Sequence, residues 1–262
     1  MWAEYFRYEY CIIDNTLIIK GVAEDNPKVT AFSLPIGPMP LRRSVALIER
    51  YCHSHRLPVV FSAIPGDRLA EFMAIHPGMR YTELADWSDY IYQIDTLATL
   101  RGKKMNKKRN HVNRFVADHP DYVVGAVTAA MVDELVAMTE ETADSLTPLA
   151  VYERRQCADT LRRLPLYGFE SAVLRTAPGA PVCAYAAGEV MGDTLYTHIE
   201  KVDHRVAGAG EMINMLFAQR MHEKYPSLQY VNREEDTGDE GLRHAKLSYH
   251  PAALLRKYNI FL

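Results

Sequence analysis

The sequence predicts a mixed α/β chain in two halves, and three observations carry that prediction. Strand-like alternation and helix-like stripes follow one another along the chain. The order of elements in the second half repeats the order in the first, although residue-level self-similarity is weak. The chain is 262 residues long and 48% hydrophobic, enough for one large core or for two of about 130 residues each.

Residues 5 to 34 alternate as three strands, "YFRYEYCII", "TLIIKGV" and "VTAFSLPI", with turns at Asp14-Asn15 and between Glu24 and Lys28. After "GPMP", the segment "LRRSVALIERYCHSH" puts Leu41, Val45, Ile48 and Cys52 on one helical stripe. "PVVFSAI" is a buried strand, "GDRLAEFMAIH" a short helix opened by a Gly-Asp cap, and "YTELADWSDYIYQI" is strand-like. A long polar helix from about 96 to 119 and a helical pair over about 129 to 163 follow. Strands "ESAVLRT", "VCAYAAGEV" and "TLYTHIEKV" lead to a helix near 209 to 225, a strand "LQYVN", a helix near 239 to 247 and a last strand "LRKYNIFL". The expected division is residues 1–98 and 99–262.

The net charge of -3 and pI near 6.4 exclude a chain that coats nucleic acid or membrane over its whole surface, so any polyanion contact must be local. Cys11, Cys52, Cys157 and Cys183 lie apart without a CxxC pair and read as reduced, buried small residues. Neither His53 with His55 nor His244 with His250 has a supporting third ligand, so no metal is expected. The start, "MWAEYFRYEYCII", has no basic or apolar leader region, and nowhere do about 18 apolar residues run together. A soluble, cytoplasmic protein without stable membrane insertion is expected. Alternation that begins almost at once predicts a first domain shortened at its N-terminus, because a sheet edge there needs covering.

Three constellations can carry chemistry. In "HRVAGAGEMINMLFAQRMHEKY", Arg205, Gly208, Ala209 and Gly210 form an RxxGxG turn between a strand and a helix. Backbone N–H groups and a helix N-terminus can hold a pyrophosphate there, whereas a tight turn that needs glycine is the plain alternative. The tract "YVNREEDTGDEGLRHAKLSY" would deliver Asn232, Arg233 and Glu234 to the carboxyl end of a strand, where ligands bind in open α/β sheets. Alternation puts Asn232 and Glu234 on one face and Arg233 on the other; Arg243 and Lys246 share a side of the next helix, where Asp236 can pair with them. Glu235, Asp239 and Glu240 read as charge at a helix N-terminus. Third, "RGKKMNKKRNHVNRF" holds seven cations and no carboxylate, among them Lys103, Lys104, Lys107, Lys108 and Arg109, and can dock phosphates or serve as a solvated helix. In "TLYTHIEKV", alternation puts Tyr196, His198 and Glu200 on one face. Tyr249 offers a phenol as general acid, against a core tyrosine as the plain reading.

The glycine turn and its neighbours resemble the acyl-coenzyme-A-binding loop of the GNAT acyltransferases, [Q/R]xxGx[G/A], with Arg205, Gly208 and Gly210 matching. The two charged tracts together resemble those of the phosphatidylglycerol lysyltransferase C-terminal domain family and its soluble relatives over essentially the whole chain. That resemblance implies two tandem GNAT-like domains related to the Fem-type aminoacyltransferases, with a basic helix compatible with a tRNA acceptor stem. It implies acyl transfer by positioning, from aminoacyl-tRNA or acyl-coenzyme A to a small amine or hydroxyl acceptor, with no permanently bound cofactor. Glu234 or Glu200 would take the proton, and Lys246, Arg233 or backbone N–H groups would steady the oxyanion. Three functions stay open: a tRNA-dependent aminoacyltransferase, a coenzyme-A-dependent N-acyltransferase, and a non-catalytic ligand-binding relative.

Overall fold

The computed structural model describes residues 3–141 and 148–262. Its first elements are β1 (Glu9–Ile13), β2 (Thr16–Ala23), β3 (Asn26–Phe32), α1 (Leu41–His55), β4 (Val60–Pro65), α2 (Leu69–Ile75), β5 (Arg80–Glu83) and β6 (Asp89–Gln93). Then come α3 (Ile94–Thr99), α4 (Asn106–Asp118), β7 (Val123–Gly125), α5 (Val132–Glu141), α6 (Pro148–Tyr167), β8 (Glu170–Arg175), β9 (Val182–Met191) and β10 (Thr194–Val202). The chain closes with α7 (Ala209–Lys224), β11 (Tyr230–Asn232), α8 (Glu240–Leu247), β12 (Ala253–Leu255) and β13 (Lys257–Phe261). Residues 142–147, inside the expected helical pair, lie outside the described residues.

The mixed α/β class is the one found. One sheet has the order β1-β2-β3-β4-β13-β5 and the other β12-β6-β11-β10-β9-β8-β7. In the first, β3 and β4 run parallel, and in the second β10 and β11 do. Contacts divide the chain into Tyr90–Glu234 with Asp239–Ala253, and the described chain before Tyr90 with Glu235–Gly238 and Leu254–Leu262. The expected cut after residue 98 is displaced because strand pairing crosses it. β13 pairs with both β4 and β5, Ile260 lying opposite Phe61 and Tyr81, and so returns the end of the chain to the first sheet. β6 pairs with β11 instead. Both "YTELADWSDYIYQI" and "LRKYNIFL", each expected as one strand-like run, are therefore divided between the sheets.

In the six-stranded unit the α1 stripe of Val45, Ile48 and Cys52 packs with Phe61, Ile64, Phe72 and Ile260. The turn before α2 makes no side-chain cap, so the Gly-Asp cap expected there does not form. Cys11 is exposed in β1 while the other three cysteines are buried, which corrects the expectation that all four are core residues.

In the seven-stranded unit, the expected helix over 96 to 119 is two helices. Leu100 (φ 49°) and Gly102 (φ 92°) adopt positive φ and stop the right-handed run. Helix α7 packs Met212, Ile213 and Phe217 on one side of the sheet with Leu97, Phe115, Leu195 and Val231. Leu135, Cys157 and Leu161 of α5 and α6 pack on the other with Val173, Tyr185 and Ile199. Phe115 and Phe217 are almost fully enclosed, and each such side chain contributes about 2–3 kcal/mol of apolar burial.

β10 carries a bulge between Thr197 and Ile199, so Leu195 faces α7 and Ile199 faces α5 and α6. Gly188 opposite it admits the close approach of Tyr196, whose carbonyl oxygen would clash with any Cβ there. The extra residue resets alternation. His198 contacts Glu189 on the α5/α6 side, while Glu200 contacts Asn214 of α7. The expectation that Tyr196, His198 and Glu200 share one face is overturned by this bulge.

Candidate active site

Strands β10 and β11 pair over Thr194 to Tyr196 and Tyr230 to Asn232. There β11 ends while β10 continues to Val202, and the β10 edge loses its neighbour. A cleft of about 470 Å³ opens along that stretch, lined among others by Lys108, Glu153, Arg154, Glu200, Glu211 and Tyr249. A site at the carboxyl end of parallel strands follows from this splay.

The strand exit is a fixed turn. Asn232, 2% exposed, accepts the N–H of Glu234 on Oδ1 at 2.7 Å, and Glu234 takes φ 56°. The Lys246 ammonium, buried on α8, donates to the carbonyls of Arg233 (2.7 Å) and Glu234 (3.1 Å) and lies 5.6 Å from the Tyr90 ring centroid. Lys246, expected to steady an oxyanion, thus clasps the turn and does not line the cleft.

The turn sends Arg233 and Glu234 to opposite faces, as alternation predicted. Arg233 Nη2 donates to Glu200 Oε1 at 2.8 Å, and its Cζ lies 5.0 Å from the Tyr249 ring and 5.7 Å from that of Tyr92. Burial works against the Arg233 charge, but the Glu200 carboxylate and the two tyrosines outweigh it, so its pKa is raised. Asn214 Nδ2 donates to the other oxygen of Glu200 at 3.2 Å. Tyr249, 4% exposed, lines the cleft beside Glu200, with Lys108 Nζ 4.1 Å from its ring centroid. Burial drives the Tyr249 phenol far above its ordinary range, and Arg233 offsets only part of this.

On the other face, Glu234 Oε1 lies 2.6 Å from His198 Nδ1 and Glu189 Oε1 lies 3.1 Å from Nε2, with Phe169 stacked on the imidazole at 5.0 Å. Burial alone would lower the His198 pKa; Glu234 and then Glu189 raise it above the usual histidine value. Glu189 and Asn214 were not anticipated. The signal for Asn214 was a lone amide inside the apolar run "MINMLF"; Glu189 had none, because its partner is set by the bulge.

Other expected residues are dispersed. Asp236 belongs to the six-stranded unit, where its Oδ1 accepts from Gly238 N, and Arg243 is half-buried on α8. Asp239 does cap α8, accepting from Leu242 N at 2.7 Å. Glu235, expected at that cap, pairs instead with Lys257 at 3.3 Å.

The glycine turn has a packing reason of its own. Gly208 (φ 82°) precedes α7, and a Cβ there would meet the His111 carbonyl oxygen at 2.6 Å. The first turn of α7 also carries Glu211, paired with Lys108 (3.2 Å) and His111 (3.4 Å). Ala209 is buried, Gly210 leaves ordinary contact with Val202, and Arg205 points into solvent paired with Asp203. Within the basic tract, Lys108 lines the cleft and Arg109 folds back onto Leu100 O and Asn106. Lys103, Lys104 and Lys107 are exposed and make no ion pair among the described residues.

The family model described as "Phosphatidylglycerol lysyltransferase, C-terminal" matches residues 1–261. A conserved protein of unknown function from Bacteroides thetaiotaomicron has a similar structure with TM-score 0.90 and 32% identity, over 100% of this chain and 88% of that one. L-PGS from Bacillus licheniformis aligns with TM-score 0.69 and 15% identity over 97% and 83% of the two chains. FemX aligns with TM-score 0.65 and 10% identity over 100% and 90%. The latter two establish the fold, which is the tandem GNAT-like, Fem-type one expected. No curated protein matches the chain. Among the described residues no helix is long and apolar enough to cross a membrane.

Proposed function

The chain belongs to the phosphatidylglycerol lysyltransferase C-terminal family, and on that premise we propose that it moves an aminoacyl group from tRNA to a small amine or hydroxyl acceptor. The observation that carries this reading is the cleft beyond β11, where the Glu200 carboxylate and the Tyr249 phenol line one volume with Lys108. The exposed cations Lys103, Lys104 and Lys107 are borne on the same segment as Lys108. Phosphates held by those lysines would bring a tRNA end to the cleft.

An aminoacyl ester is already activated, so holding it in line with an acceptor supplies most of what is required; orientation contributes roughly 7–11 kcal/mol in favourable cases. Tyr249, kept protonated by burial, can hydrogen-bond the leaving oxygen, on which the proton released by the acceptor amine or hydroxyl ends. A covalent intermediate on cysteine is disfavoured: burial pushes the Cys157 and Cys183 thiols up to about 12 and about 11, where thiolate is scarce. A coenzyme-A thioester is the second reading, favoured by the N-terminus of α7 opening on the cleft through Gly208 and Gly210. Glu211 in that first turn stands against a pyrophosphate there.

The test is transfer from tRNA charged with radiolabelled amino acids to a mixture of small amines and alcohols. We expect enzyme-dependent loss of label from tRNA, and a K103E/K104E/K107E variant that binds charged tRNA at least about tenfold more weakly with a flatter salt dependence. Release of free thiol from acyl-coenzyme A, with tRNA left intact, would move the assignment to the second reading. Binding of small amines with no transfer from either donor would leave a ligand-binding protein.

A further inference from the structure

Glu200 is held at both oxygens by side chains that keep their protons. Arg233 Nη2 donates to Oε1 at 2.8 Å and Asn214 Nδ2 to Oε2 at 3.2 Å. Arg233 and Asn214 do not line the cleft, whereas Glu200 does, so the cation stands behind the carboxylate and the pair presents its negative end to the cleft. Each carboxylate oxygen still has a free lone-pair direction.

Asn214 is otherwise hard to explain. It sits on the buried side of α7 next to Met212, Ile213 and Phe217, where a leucine would pack without polar atoms to satisfy. Its Oδ1 and the Nη1 of Arg233 are buried and make no hydrogen bond among the described residues. A fold keeps such costly atoms where the side chain is needed for something else. The bond to Glu200 is that use.

We propose that Asn214 is a positioning residue which, together with Arg233, fixes Glu200 as the cleft's seat for a substrate ammonium, so that acyl groups bearing a free amine are selected over plain ones. Glu200 then orients the substrate and is not the proton acceptor of the reaction. The proposal rests on the cleft being the substrate site, as in the reading above, but not on tRNA being the donor.

Two probes of equal shape separate these roles: alaninamide, whose amine is an ammonium near neutral pH, and lactamide, which carries a hydroxyl in its place. Binding is measured on the full chain by calorimetry or NMR titration. The wild type is expected to favour alaninamide by about fivefold or more, as a charge-assisted contact does. Glu200→Gln should abolish the preference and Asn214→Leu reduce it several-fold, while the double variant shows no loss beyond Glu200→Gln, since coupled residues are non-additive. In the transfer assay Asn214→Leu should raise KM for the aminoacyl donor more than it lowers kcat, a split that a loosened core would not give. Should Asn214→Leu lose cooperative melting, Asn214→Ser, which keeps a donor, carries the test with an intermediate preference. Equal binding of the two probes by the wild type, or an unchanged preference in a folded Asn214 variant, overturns the proposal. A chain that discriminates between the probes yet transfers nothing from tRNA keeps it and loses only the donor assignment.

Discussion

Both contact units bury carboxylates among cations, but one cluster closes on itself and the other opens on a cleft. In the six-stranded unit Lys257 lies 2.6 Å from Asp89 and 3.3 Å from Glu235, and all three side chains are largely enclosed. Glu24 stands close enough for Glu235 to add to the burial that raises its pKa to about 7. In the seven-stranded unit one guanidinium meets one carboxylate, whose outer edge lines the cleft. The same residue types thus serve cohesion in one place and presentation in the other. The difference lies in geometry: β13 carries Lys257 between neighbouring strands, whereas Glu200 lies on β10 beyond the end of β11.

Removing the closed cluster's cation is the most damaging change. Lys257→Met should remove the cation that the two enclosed carboxylates share and cost about 3–5 kcal/mol of stability in urea denaturation. A loss under about 1 kcal/mol would mean that the cluster is effectively solvated and that the contrast with Glu200 is false.

Glu24 gives a pH signature to the same cluster. Burial, then Glu235, lifts its folded-state pKa from 4.5 to about 7. A folded value above the unfolded one means that the carboxyl stabilises the fold below about pH 4.5 and that this contribution is lost as pH rises through about 7. Glu24→Gln should therefore be more stable than wild type at pH about 8, by at most about 3 kcal/mol, with the gap closing on acidification. Melting curves of both proteins across that window check it, and parallel curves would remove Glu24 from the cluster.

The smallest effect is expected at Arg205. It is solvent-exposed and paired with Asp203 in its own turn, so Arg205→Ala should leave melting and donor affinity unchanged. A marked loss of acyl-coenzyme A binding in that variant would restore the glycine turn as a cofactor cradle.

The sequence by itself determined most of the local structure. The stripe of Val45, Ile48 and Cys52 and the cap by Asp239 at the start of α8 follow from a period of 3.6 and from a side chain that bonds its own backbone. Charge at the end of a strand pointed to the region of the cleft, and Glu200 and Tyr249 were legible as its candidates. Only the tertiary structure decided which sheet received β6 and β13, that the bulge opposite Gly188 parts His198 from Glu200, and that Asn214 and Arg233 grip one carboxylate while Lys246 is taken up by the turn. Strand partners and a one-residue slip in register depend on groups far apart in the chain, and no local period encodes them.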